Sequence, residues 1–281
     1  MDLLLNILKS VLYGIVQGIT EWLPISSTGH LILMNSFMPL NLFKDAQSNI
    51  EFWDMYKVVI QFGSILAVLL LYWNKLNPFN PKLKPSKKKS IWRLWGKIII
   101  ACIPAGVAGV LLNDWIDNVM SASWIIAVAL IVYGILFIWM ESRNHYYTVE
   151  TIRDITNKKA FGVGMFQMLA LIPGTSRSGS TILGATLLGF NRGTAAEFSF
   201  YMAIPVMFGA SLLKIIKADF PATSASIIVL LVGMITAFIV SVIAIRYLMQ
   251  YIRKHDFKIF GVYRIILGII VLVFCTLGFI Q

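Results

Sequence analysis

Residues 21–33 read EWLPISSTGHLIL, and residues 171–183 read LIPGTSRSGSTIL. Each run sets a proline and several hydroxyl side chains between apolar segments, with Glu21 and His30 in the first and Arg177 in the second. Offset by 150 positions the runs coincide: Gly14 falls on Gly164, Gln17 on Gln167, Ser26 on Ser176 and Gly29 on Gly179. With a small gap the likeness continues, Glu51, Phe52, Phe62 and Gly63 aligning with Glu197, Phe198, Phe208 and Gly209. Single matches of Gly or Leu arise by chance in oily sequence, but a shared order of one motif run and three apolar runs does not. The chain reads as a duplication within a single membrane domain, repeat one about 1–145 and repeat two about 146–281.

Of the 281 residues 58% are hydrophobic and only 13% charged, against roughly a quarter charged in a soluble domain. The clearest apolar runs are 58–73, 98–112, 124–140, 227–245 and 265–280, near the roughly 20 residues that cross a bilayer. This is the composition of a polytopic membrane protein. The net charge of +11 then belongs to loops that set topology, and nucleic acid is not the expected partner. Cys102 and Cys275 lie inside apolar runs, so no disulfide framework is expected.

Pro24, and Pro173 with Gly174, stand among hydroxyls where a smooth spanning helix is not possible. Irregular backbone at membrane depth survives only where protein buries it or a cavity receives it. Each motif run is therefore expected to be a re-entrant helical hairpin that leaves on the side it entered. Three true spans remain in each half, an odd number, so the second half must be inverted. The expected fold is an all-α integral membrane protein with an inverted-topology repeat, six spanning helices and two re-entrant hairpins. Lys75, Lys82, Lys84, Lys87, Lys88, Lys89, Arg93, Arg143, Arg153, Lys158, Lys159, Arg192, Arg246, Arg253, Lys254 and Lys258 then share one side, and only Lys9, Lys44, Lys214 and Lys217 the other. The positive-inside rule puts the first side in the cytoplasm, with both termini and the entrance of the first hairpin outside.

Pro24 suits a helix start, and Ser26, Ser27 and Thr28 are good N-cap residues. The unpaired N–H groups of a helix N-terminus make an anion site. Ser27 and His30 are three apart and Ser26 and His30 four apart, so on a helix each pair shares a face. A hydroxyl beside an imidazole can be a nucleophile beside its base. An isolated Ser/His pair at this spacing is usually structural, but ionisable groups at membrane depth are functional candidates. Glu21 can orient the histidine, balance its charge or hold a metal ion. The second run supplies Thr175, Ser176, Ser178, Ser180 and Thr181 as donors, with Gly174 and Gly179 allowing close backbone approach. Arg177 either forks onto phosphate oxygens or pairs with Glu21. A phosphate ester or anhydride on a lipid tail fits this pocket. A transporter or flippase of an anionic or polyprenyl-phosphate substrate is the alternative, and it would need Arg177 but not Ser27 or His30. Gly106 and Gly109 offer a small-residue face for helix packing or a homodimer contact.

These motifs resemble the bacterial undecaprenyl pyrophosphate phosphatases, also called bacitracin-resistance proteins. That family carries an (E/Q)xxxE element, here Gln17 to Glu21 in QGITE, then PISSTGH ending on His30, and PGxSRSxxT, here PGTSRSGST over 173–181. The likeness in length and run order covers the whole chain. It implies hydrolysis of undecaprenyl pyrophosphate to the monophosphate, recycling the lipid carrier of cell-wall synthesis, at the outer face of the bacterial plasma membrane. By motif position it implies Ser27 as nucleophile, His30 as its proton partner and Arg177 as phosphate clamp. Glu21 and the second-motif hydroxyls complete the site, with Gln17, Ser26, Thr28, Gly174, Thr175, Ser176, Ser178 and Thr181 as substrate contacts. Divalent cations support the family's activity. Gln17 in the first acidic position leaves Glu21 without a second carboxylate at that spacing, so Mg2+ or Ca2+ is expected on the substrate's pyrophosphate rather than in a two-carboxylate site.

Overall fold

The computed structural model describes residues 3–119, 122–143, 146–217 and 222–278. The Lys214 and Lys217 side chains and the end of the last apolar run, 279–280, lie outside the described residues. Ten α-helices follow one another: α1 (Leu3–Thr20), α2 (Ser27–Phe37), α3 (Ala46–Leu76), α4 (Pro85–Val119), α5 (Ser123–Glu141), α6 (Asn157–Met168), α7 (Arg177–Leu187), α8 (Arg192–Lys217), α9 (Ser224–Tyr251) and α10 (Lys258–Thr276). Two short 3-10 turns, Ile152–Asp154 and Leu169–Leu171, and one isolated bridge between Val149 and Phe190 complete the regular structure among the described residues. The all-α membrane architecture expected from composition is present.

Among the described residues seven helices are long and apolar enough to cross a membrane: α1, α3, α4, α5, α8, α9 and α10. Six are expected from the sequence, where α1 forms one arm of the first hairpin. Its counterpart α6 has only 12 residues before the chain tightens into the Leu169–Leu171 turn. By length and composition the two arms therefore differ.

Where the arms end, the backbone does the same thing twice. Ser26 has φ 72° and Ser176 φ 69°, the non-glycine residues with positive φ among the described residues. Such a conformation costs about 1–3 kcal/mol and persists only where its surroundings enforce it. Each serine hydroxyl then accepts the N–H three residues on, Gly29 at 3.3 Å and Gly179 at 3.2 Å. A strained N-cap thus opens both α2 and α7.

Packing repeats this correspondence. Helix α1 lies along α9, α6 lies along α4, and α5 lies along α10. Without a hydrophobic drive between helices in lipid, close backbone approach must supply the contact energy. A Cβ on Gly14 would stand 2.7 Å from the Gly233 carbonyl oxygen, and one on Gly164 2.3 Å from that of Ala101. A Cβ on Gly134 would stand 2.7 Å from the Gly261 carbonyl oxygen, and one on Gly261 2.7 Å from that of Gly134. Gly109 meets Leu171, whereas a Cβ on Gly106 would touch nothing within 4 Å.

At one end of the bundle Glu141 accepts Arg192 Nε at 2.9 Å and Nη2 at 2.5 Å, and also the Phe257 N–H at 3.1 Å, tying α5, α8 and the approach to α10. At this end Lys75, Lys87, Arg93, Lys97, Arg153 and Arg253, all charges that the topology argument assigns to one side except Lys97, line a single cavity of about 800 Å³. Lys75 pairs there with Glu197 at 2.7 Å.

The glycine contacts give a direct test. Gly164→Ala should destabilise the protein by roughly 1–3 kcal/mol, the usual cost of overpacking, while Gly106→Ala should leave it unchanged. Thermal melting of both variants in one detergent checks this, and equal melting temperatures would contradict the α4–α6 contact.

Candidate active site at the two helix breaks

The breaks 21–26 and 172–176 meet, and their meeting is fixed by polar bonds. Arg177, the first residue of α7, donates from Nη2 to Glu21 Oε1 at 3.1 Å. Its Nη1 donates to the Ser199 carbonyl at 2.8 Å and to Ser199 Oγ at 3.3 Å. The guanidinium also lies over the Trp22 ring, 5.5 Å from its centroid. Both partners of the ion pair are largely withdrawn from solvent, Arg177 at 11% and Glu21 at 6% side-chain exposure. Breaking such a pair leaves an uncompensated buried charge.

The second oxygen of Glu21 faces the first motif. Oε2 accepts the Ser27 hydroxyl at 2.8 Å and the Gln17 amide at 3.1 Å. Gln17 stands one turn before Glu21, so both project from the same face where α1 ends. Ser27 is the first residue of α2, buried, with its hydroxyl already directed at a carboxylate.

The helical Ser27–His30 spacing does not produce the expected pair. His30 Nδ1 lies 2.7 Å from the Ser26 carbonyl and Nε2 lies 2.7 Å from the Tyr263 hydroxyl, with the two rings stacked at 8°. A carbonyl only accepts, so Nδ1 carries a proton and donates it to Ser26, while Nε2 shares a hydrogen bond with the Tyr263 hydroxyl. Both ring nitrogens are thus engaged away from Ser27. Equal spacing on a helix brings Cβ atoms close, but the tertiary partner Glu21 decides where a residue in the first turn points.

The remaining motif residues hold the breaks in place. Ser178 donates to the carbonyls of Glu21 and Leu23 at 3.0 and 3.2 Å, stitching the second break to the first. Thr175 donates to the carbonyls of Leu169 and Ile172, both at 2.8 Å, and folds its own turn. Gly174 has φ 92°, where a side chain is strained, and a Cβ there would stand 2.6 Å from the Ile126 carbonyl oxygen. Ser176 caps α7 and shares a 3.1 Å contact with Ser178 Oγ. Thr181 Oγ1 reaches Ser199 Oγ at 2.7 Å, so it supports the group that holds Arg177. Ser26 caps α2, and Thr28 is exposed on the outer side of its first turn. Ser180 bonds back to carbonyls of its own helix turn.

Three contributors carry no motif signal. Ser199 sits inside α8, and Tyr263 and Arg264 inside α10. An arginine within an apolar helix is the one sign that could have marked Arg264, but an apolar run taken from 265 onward leaves it just outside. Ser199 and Tyr263 have no local pattern to find.

Around the ion pair Gln17 Oε1, Trp22 Nε1 and Arg177 Nε are buried without a hydrogen-bond partner among the described residues. Buried polar groups are normally bonded, so this cluster suits a polar ligand. The N-termini of α2 and α7, Arg177 and the buried Arg264 set positive potential against the single carboxylate Glu21. The arrangement can bind a multiply charged anion and present it to a hydroxyl whose proton has an acceptor. A protein-held divalent cation fits poorly. Among the described residues no three His, Cys, Asp or Glu side chains gather, and both Glu21 oxygens are occupied by Ser27, Gln17 and Arg177.

The family model described as bacitracin resistance protein BacA matches residues 10–270. An undecaprenyl-diphosphatase 1 of Clostridioides difficile is 55% identical over 271 residues, 96% of this chain and 97% of the relative. An undecaprenyl-diphosphatase of Acetivibrio thermocellus is 52% identical over 273 residues, covering 96% and 98%. One of Enterococcus faecalis is 50% identical over 272 residues, covering 95% and 96%. With a strained serine cap at each break, a carboxylate bonded to the Ser27 hydroxyl and matches along nearly its full length, this chain belongs to the BacA bacitracin-resistance family.

Proposed function

We propose that the chain hydrolyses undecaprenyl pyrophosphate to undecaprenyl phosphate and inorganic phosphate in a bacterial plasma membrane, with its site open to the outer side. The observation that carries the chemistry is the Glu21 carboxylate held between Arg177 and the Ser27 hydroxyl. Arg177 and the α7 N-terminus bind the terminal phosphate. Ser27 Oγ attacks its phosphorus and the proton passes to Glu21 Oε2. The bridging P–O bond breaks, and undecaprenyl phosphate leaves with the electron pair and takes the proton from Glu21, which restores the carboxylate. Water then gives a proton to Glu21 as its oxygen attacks the phosphoserine phosphorus. The Ser27 Oγ–P bond breaks with its electron pair on Oγ, and that proton returns from Glu21 to Ser27 as phosphate leaves. His30 holds the Ser26 carbonyl, and with it the start of α2, rather than serving as base to Ser27. Mg2+ or Ca2+ enters this reading only as a counter-ion on the pyrophosphate oxygens.

An apolar cavity of about 470 Å³ between α1, α9 and α10 supports a lipid substrate. It is lined by Val16, Ile19, Leu23, Leu248 and Phe260, and by Thr20, His30 and Tyr263 beside the site. In this reading the polyprenyl tail occupies it. The two breaks are re-entrant hairpins of an inverted repeat, both chain termini face outward, and Gly106 is free for a contact with a second copy.

Phosphate release by purified protein from undecaprenyl pyrophosphate tests the reading. Ser27→Ala and Glu21→Gln should each lose roughly 10²–10⁴-fold in kcat, the scale of acid–base catalysis. The double variant should be scarcely worse than either, because a nucleophile and its base act as a unit. His30→Ala should lose less, and its effect should multiply with that of Ser27→Ala. Activity surviving in Ser27→Ala would instead favour direct attack by water.

Arg177→Lys keeps the charge but not the fork onto phosphate, Ser199 and Glu21. A loss of on the order of 100-fold in kcat/KM is expected, in line with removal of a preorganised transition-state donor. Near-normal turnover would reduce Arg177 to a structural partner of Glu21.

For the orientation, a cysteine at Lys44 should react with an impermeant reagent added to intact cells, and one at Lys84 should not. The reverse pattern would invert the topology.

A further inference from the structure

Arg264, next to Tyr263 on α10, is fully buried, and none of the ion pairs among the described residues includes it. Backbone carbonyls answer its charge instead. Nη1 donates to the Pro24 oxygen at 3.2 Å, and Nη2 donates to Gly174 at 2.9 Å and Thr175 at 3.0 Å. Pro24 belongs to the first break, Gly174 and Thr175 to the second, so one guanidinium spans both. The Tyr133 ring faces it at 5.3 Å, and its Nε is buried without a hydrogen-bond partner among the described residues.

This is a costly residue to keep. Removing a cation from water costs several kcal/mol, and an apolar side chain of similar volume is often the more stable choice. Its bonds explain why an arginine stands there. A break in a helix at membrane depth leaves carbonyl oxygens that water cannot reach, and a rigid fork can reach two sets of them where a single ammonium cannot. The approach is built on purpose-sized contacts: Gly261, one turn before Arg264, lies against Gly134, the neighbour of Tyr133. Gly179 leaves room on the other side, since a Cβ there would stand 2.9 Å from Nη1.

We propose that Arg264 is a positioning residue that sets the spacing between the N-termini of α2 and α7, and so the distance from Ser27 to the phosphate held by Arg177. The proposal rests on the phosphatase reading above. It predicts a loss in the chemical step rather than in binding, because Arg177 and both helix N-termini remain when Arg264 changes.

Arg264→Lys and Gly179→Ala in the full-length protein test this, with kcat, KM and thermal melting measured side by side. In Arg264→Lys, kcat should fall on the order of 100-fold with KM within about 3-fold, as expected when reacting groups are displaced by about 1 Å. Gly179→Ala keeps the guanidinium but crowds Nη1, and should lower kcat by roughly 10-fold by the same misplacement. Wild-type kcat in the lysine variant, or a loss confined to KM, would overturn the proposal. If the lysine variant does not fold, Gly179→Ala decides, and unchanged kcat there would overturn it. Wild-type turnover controls for the phosphatase reading, while the ratio of variant to wild type tests Arg264 alone.

Discussion

The ion pair between Glu21 and Arg177 joins residues 156 positions apart at the point where both chain breaks meet. Either charge alone would be expensive in a lipid-surrounded core. Together they make each other tolerable, and they require the two breaks to share one place. The rest of the site follows from that requirement. Ser178 bonds carbonyls of the first break, Ser199 fixes the far side of the guanidinium, and Ser27 bonds the Glu21 oxygen that Arg177 does not take. Removing either charge would leave the other stranded and the breaks without their common anchor.

The two breaks share a scaffold and differ in chemistry. Ser26 and Ser176 are equivalent strained caps, yet the residue after the cap is a hydroxyl in one and a guanidinium in the other. At the same offset Glu21 stands against Leu171 and His30 against Ser180. In the proposed reaction the first break supplies the attacking group and its proton acceptor, while the second supplies the cation for phosphate. A site with two helix N-termini gives each half its own amides and leaves the side chains free to specialise.

Much of this was legible in the sequence because it is local. Proline and glycine among hydroxyls mark a broken helix, and the cap of α2 is Ser26, one of the three N-cap candidates Ser26, Ser27 and Thr28. The 150-residue offset shows that the breaks correspond. Three things were not legible. The Ser27–His30 pair fails because spacing along a helix cannot reveal a stronger acceptor contributed by the preceding segment. Ser199 and Tyr263 act from helix interiors whose local sequence carries only packing. Arg264 was hidden at the margin of an apolar run, although an arginine there is costly enough to need a reason. The count of apolar helices also differs, since α1 is long and apolar enough to cross a membrane whereas the sequence places it before a helix break, where a hairpin is expected.

The account turns on the Ser27 hydroxyl attacking phosphorus, and the phosphorylated enzyme is its most direct consequence. Undecaprenyl pyrophosphate labelled in the terminal phosphate should be mixed with enzyme, quenched in acid within the first turnover and analysed for modified peptide. Label on Ser27 of the wild type, absent from Ser27→Ala, is the predicted result. Phosphate released at the full wild-type rate with no labelled serine at any quench time would contradict it.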